Sequence, residues 1–89
     1  MTSCLVTYDL SAPGQKYDKL IEHLKSYGTY SHSLQSAWLI VSDKSAKEIR
    51  DAAGAFLDEN DKLLVVELTS VAAWRGLRRA TSDWIHKNL

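Results

Sequence analysis

Three short runs in this 89-residue chain are apolar at consecutive positions: Leu5-Val6, Leu39-Ile40-Val41 and Leu63-Leu64-Val65-Val66. Successive side chains of an extended strand point to opposite faces, so each run puts hydrophobic surface on both sides of any sheet it joins. A sheet of this kind is stable only when both faces are covered. That requirement governs what the rest of the chain has to supply.

The first run lies in an extended segment from Ser3 to Tyr8 that ends at Asp9. Behind it, Tyr17, Leu20, Ile21, Leu24 and Tyr27 recur at helical spacing and stop at Gly28. Thr29 to Leu34 and Ala37 to Ser42 are rich in β-branched and aromatic residues. The polar break Gln35-Ser36 between them predicts a hairpin. Ser45-Ala46-Lys47-Glu48 matches a capping box, in which a serine hydroxyl and a glutamate satisfy free N–H groups at a helix start. Ala46, Ile49, Ala53, Phe56 and Leu57 supply the apolar stripe of that second helix. The acidic turn Asp58-Glu59-Asn60-Asp61 leads to a last strand over Lys62 to Leu68. The order β-α-β-β-α-β predicts an α+β, ferredoxin-like fold: a four-stranded antiparallel sheet with two helices on one face.

Residues 71–89 extend this domain of residues 1–70. Trp74, Leu77, Thr81, Trp84 and Ile85 fall near helical spacing, while Arg75, Arg78, Arg79, Ser82 and His86 fall on the other side. A basic C-terminal helix is expected from about Leu77 to Lys87, with its tryptophans toward protein and its arginines toward solvent or phosphate. Two helices cover one sheet face, and the tail reads as too short and too charged to cover the other. A homodimer packed through the sheet is therefore the expected cover.

Lys plus Arg and Asp plus Glu both number 11, so whole-chain charge argues neither for nor against a polyanionic partner. The distribution is uneven. Residues 71–89 carry Arg75, Arg78, Arg79 and Lys87 against Asp83, a net +3 that leaves −3 on the first seventy. The single cysteine, Cys4, cannot form an internal disulfide and sits in an apolar strand, which points to a reducing compartment. There is no apolar run of the length a membrane span needs, and no basic segment followed by a signal core. The expectation is a cytoplasmic protein with no membrane partner.

Asp9 closes a rigid strand, where a carboxylate can cap the following turn Ser11-Ala12-Pro13-Gly14 or bind a cation. Mg²⁺ or Mn²⁺ favours one or two carboxylates with waters, so a single Asp9 makes a poor site and two copies across a dimer axis a better one. The arginines can pair with phosphate oxygens and Trp74 can stack on a base. Equally, they can form a solvated helix face anchored by a buried tryptophan. His23, His32 and His86 lack zinc-ligand spacing, and there is no phosphate-binding glycine loop, nucleophile elbow or Cys-His pair.

The strand ending Tyr8-Asp9, the helix closing on Tyr27-Gly28, the stretch Leu34-Gln35-Ser36-Ala37-Trp38 and the strand Leu63 to Leu68 together resemble the CRISPR-associated protein two family. Its stand-alone SinR-like relatives and, more distantly, the virulence-associated protein D toxins share the pattern. The resemblance implies a ferredoxin-like homodimer whose Asp9 residues face each other near the dimer axis. In some members this aspartate is associated with Mg²⁺-dependent endonuclease cleavage of RNA or DNA. In others the dimer is a non-catalytic adaptor that binds duplex DNA and a protein partner, the integrase. Ser36 matches the family's serine before an aromatic residue. The chain departs from the pattern in lacking a basic residue soon after Asp9 and in carrying Leu34 two residues before Ser36, where glutamine is usual.

Overall fold

A computed structural model describes residues 1–11 and 17–89. The elements run β1 (Thr2–Asp9), α1 (Asp18–Lys25), β2 (Thr29–Leu34), β3 (Ala37–Ser42), α2 (Ala46–Gly54), β4 (Lys62–Glu67) and α3 (Arg79–Asn88). The strands form one antiparallel sheet in the order β2-β3-β1-β4, with the long β1 and the apolar β3 at its centre. This is the ferredoxin-like α+β arrangement with an added C-terminal helix.

Local chemistry accounts for the element ends. Gly28 stops the first helical segment because it adopts φ +85, a left-handed conformation that costs glycine little. The capping box forms as expected: Ser45 Oγ accepts from the Glu48 N–H at 3.1 Å, and Glu48 Oε1 accepts from the Ser45 N–H at 3.0 Å. The hairpin turns at Gln35-Ser36. A one-residue bulge between Ser31 and Leu34 keeps His32 over Trp38 while Leu34 pairs with Ala37.

Register sorts the side chains between two faces. On one, Cys4 pairs with Ile40 and Val6 with Trp38, and all four are fully buried with Leu20 and Leu24 of α1 and Ile49 and Ala53 of α2. Burial of each large side chain here contributes on the order of 1.5–3 kcal/mol. Burial, and then the charge of Glu67, push the Cys4 thiol above its ordinary value.

On the other face Leu5 pairs with Leu39, and here the structure corrects the expectation about the tail. The tail is long enough to cover this face over β1, β3 and β2. Thr81 and Ile85, four residues apart and so on one side of α3, are 4% and 6% exposed. Leu5, Leu39, Trp74, Leu77 and Ile85 line one apolar space between sheet and tail. The Ser3 hydroxyl donates to the Asn88 carbonyl at 3.3 Å and ties the helix end to β1. Charge does not prevent this cover, because α3 is amphipathic: Arg78, Arg79, His86 and Lys87 are all exposed. The two edges of this face stay open, with Leu64 56% and Val66 39% exposed on β4 and Leu34 58% exposed at the end of β2.

Truncating the tail's anchor checks this cover. Ile85→Ala should destabilise the fold by about 2–4 kcal/mol in urea titration, whereas Leu64→Ala on the open edge should change stability by less than about 0.5 kcal/mol. Equal small effects would mean that α3 does not pack on the sheet.

Candidate functional site

The residues singled out from the sequence occupy two places. Asp9 is the last residue of β1, exposed, with its Cα paired to that of Lys62 on β4. It lies on a groove of about 210 Å³ whose walls include Thr7, Tyr8, Leu63 and Leu64. The turn Ser11-Ala12-Pro13-Gly14, which Asp9 was a candidate to cap, falls largely outside the described residues. Its one described residue, Ser11, is held by a different acid.

That acid is Asp61. Its Oδ1 accepts from the Ser11 N–H at 2.8 Å, the Ser11 hydroxyl at 3.0 Å and the Tyr17 hydroxyl at 3.1 Å, while Oδ2 accepts from the Asp58 N–H at 2.8 Å. One carboxylate thus fastens the residues on both sides of the β1–α1 connection to the turn before β4. Hydrogen bonds from the Ser11 and Asp58 backbones, then from the Ser11 and Tyr17 hydroxyls, hold the Asp61 carboxyl below the usual carboxylate range. Nothing in the sequence pairs Asp61 with Ser11, fifty positions away; the readable signal was only an aspartate in a turn.

A polar-aromatic stack braces the same end of the sheet. Trp38 Nε1 donates to the Tyr8 hydroxyl at 3.1 Å, and the His32 ring stacks on Trp38 with centroids 4.1 Å apart and planes 11° from parallel. His32 Nε2 donates to the Gln35 carbonyl at 3.0 Å, which sets the ring's tautomer. The Ser36 carbonyl accepts from the Tyr8 N–H and the Thr7 hydroxyl, at 3.1 and 2.9 Å. Ser36 therefore fixes the hairpin to β1 through its backbone, one residue from Asp9.

The second place is the tail. Trp74 Nε1 donates to Ser82 Oγ at 3.2 Å, and its ring meets His86 edge-on at 5.0 Å, so the indole is committed to α3 as an anchor. Arg75, Arg78 and Arg79 are exposed, and the one salt bridge among the described residues joins Arg50 to Asp51. Arg78 is the N-cap residue of α3 and Arg79 its first residue, in a first turn with no acidic side chain. Cations are unfavourable at this end, where the helix dipole already presents partial positive charge. Two arginines at the helix start, with Arg75 just before them, make a locally strong anion-attracting surface.

In chemical terms, Asp9 offers a hard cation one carboxylate, with Lys62 paired to it in register on the neighbouring strand. No group of three or more His, Cys, Asp or Glu side chains able to hold a metal occurs among the described residues. No hydrogen bond or salt bridge among the described residues links Asp9 to the arginines. No helix is long and apolar enough to cross a membrane among the described residues. No protein-family model, curated protein or solved structure matches the chain.

Folding favours the ionised form of Asp61. Its contribution is present above the unfolded aspartate value, about pH 3.9, and is lost as pH falls through the lower folded-state value. The urea midpoint of the wild type should exceed that of Asp61→Asn near neutral pH, and the gap should narrow progressively as pH falls below about 3.9. A gap that stays constant with pH would exclude the carboxylate as the clamp.

Proposed function

We propose that this chain acts as a nucleic-acid-associated homodimer, with Arg75, Arg78 and Arg79 as phosphate contacts and Asp9 of each copy as a candidate metal carboxylate. The observation that carries the reading is the cationic start of α3. Three exposed arginines gather where a helix terminus disfavours positive charge, without acidic partners within salt-bridge reach among the described residues. Guanidinium groups pair bidentately with phosphate oxygens, and the exposed backbone N–H groups of a helix start favour the same anion. Trp74 contributes here by holding the arginine-bearing segment against α3.

The open β4 edge supports the dimer. Leu64 and Val66 stay exposed on an edge strand whose free backbone groups can pair with another strand. A second copy there covers the exposed Leu64 and Val66, with the two Asp9-bearing strands β1 on either side of the paired β4 strands. One Asp9 carboxylate, with waters and the substrate phosphate completing the shell, would suit Mg²⁺ or Mn²⁺, which when bound would neutralise phosphodiester charge and acidify a water. The resemblance to the CRISPR-associated protein two family points the same way.

Lys62, paired with Asp9 across the strands, favours a second reading. A lone carboxylate held in register with a lysine suits an adaptor dimer that binds duplex DNA or a protein without cleaving. The two readings share the arginine surface and differ at Asp9.

Binding of a short RNA or DNA duplex should weaken steeply with salt, and Arg78→Ala with Arg79→Ala should lower the log–log salt slope by about 2. An unchanged slope would remove the tail from the interface. With Mg²⁺ or Mn²⁺, Asp9→Asn should abolish any cleavage and leave affinity intact if the endonuclease reading holds; equal cleavage by wild type and variant would end Asp9's metal role. For the dimer, Val66→Lys should convert the sedimenting species to monomer without loss of helical signal, and an unchanged dimer would exclude the β4 edge.

A further inference from the structure

The cover that the tail forms over the sheet is incomplete in one place. Between them lies an apolar space of about 220 Å³, floored by Leu5, Ala37 and Leu39 and roofed by Ala73, Trp74 and Leu77. Small residues leave it open: Ala37 contributes only a methyl from the sheet, as do Ala72 and Ala73 from the tail. The surrounding groups are held too firmly to collapse inward. The Trp74 indole is tied to Ser82 and braced by His86, while Ile85 and Leu39 are 6% and 9% exposed in packed elements.

The lining identifies the ligand's chemistry. No charged side chain lines the space, and the one polar side chain on its wall is Ser33. The Ser33 hydroxyl donates to the Ser31 carbonyl at 3.5 Å and accepts from Ser31 Oγ at 3.0 Å, so its remaining lone pair can accept from one further group. No buried side-chain nitrogen or oxygen lacks a partner among the described residues, so no orphaned polar group calls for water in this space. An enclosed apolar cavity of about 150 Å³ accommodates a benzene ring; the space here is larger and open on one side, so it suits two fused rings with one edge toward water. We infer that this chain binds a small neutral bicyclic aromatic molecule, with one hydrogen-bonding group, between the second sheet face and the C-terminal segment. The Trp74 and Leu77 side chains meet the ring system from the tail, Leu5 and Leu39 from the sheet, and Ser33 takes the polar group. The space opens to solvent on one side, so a ligand can enter without moving the Trp74 anchor or breaking a helix or a strand pairing. This site is separate from Asp9 and from the phosphate-binding surface.

Indole is a suitable probe: neutral, bicyclic and carrying one N–H. Titrated into the full chain and followed by methyl NMR, it should give saturable shifts at Leu5, Leu39, Leu77 and Ile85, with Kd below about 1 mM, as a ligand of about nine heavy atoms allows. Indole-3-acetate, whose charge would be buried without a partner, should bind at least about tenfold more weakly. Ala73→Phe and Ala72→Leu, both at exposed positions on the roof, should fill the space and weaken indole at least about tenfold without changing the circular dichroism. Ser33→Ala should weaken it by about three- to tenfold. Shifts that do not saturate, or that are equal in the filled variants and the wild type, would overturn the site. So would shifts at the same methyls that appear on raising protein concentration without indole, because the occupant would then be a second copy of the chain.

Discussion

A sheet with two apolar faces has to be covered twice, and every larger feature of this protein answers to that constraint. The helices α1 and α2 meet it on one side through Leu20, Leu24, Ile49 and Ala53, packed on Cys4, Val6, Trp38 and Ile40. On the other side the chain uses its own C-terminus. Thr81 and Ile85 of α3 face the sheet while Arg78, Arg79, His86 and Lys87 remain in water. The cover is neither complete nor tight. It leaves Leu64 and Val66 exposed at the β4 edge and an apolar space beneath the alanines of the connecting segment. The proposed dimer contact and the proposed ligand site are these two shortfalls.

Packing also explains how charge is distributed. The amphipathic pattern that lets α3 lie on leucines requires its basic residues to project outward, and the segment before it puts three arginines at the helix start. A chain with zero formal net charge thereby acquires one strongly cationic surface. At the far end of β1 the charges are arranged differently. Asp9 faces Lys62 across the strands, while Asp61 gathers four donors from Ser11, Tyr17 and Asp58. Asp61 serves the structure, as a rivet between two loops, and leaves Asp9 as the exposed carboxylate at the strand end.

The local features were legible because they rest on neighbours in sequence. Gln35-Ser36 marks the hairpin, Ser45 and Glu48 the helix start, Gly28 the helix stop, and the amphipathic spacing of the tail its helix, which begins at Arg79 and so leaves Arg75 and Arg78 on the segment before it. The role of the tail was misread because charge and length were weighed without the partner surface. A ten-residue helix covers little in isolation, but here it needs to cover only the leucines that β1 and β3 place together. The Asp61 clamp and the His32-Trp38-Tyr8 stack were not legible at all, since each joins residues far apart in the chain.

From the sequence alone follow the α+β class, the order of strands and helices, the two-sided apolarity of the sheet and the basic character of the tail. These depend on hydrophobic period, capping and turn residues, all short-range. Tertiary structure decided which element covers the second face, which acid holds the loop beside Asp9, and where space remains beneath the tail. Those outcomes depend on strand register and on the volumes of side chains brought together from distant positions, and no local pattern encodes them.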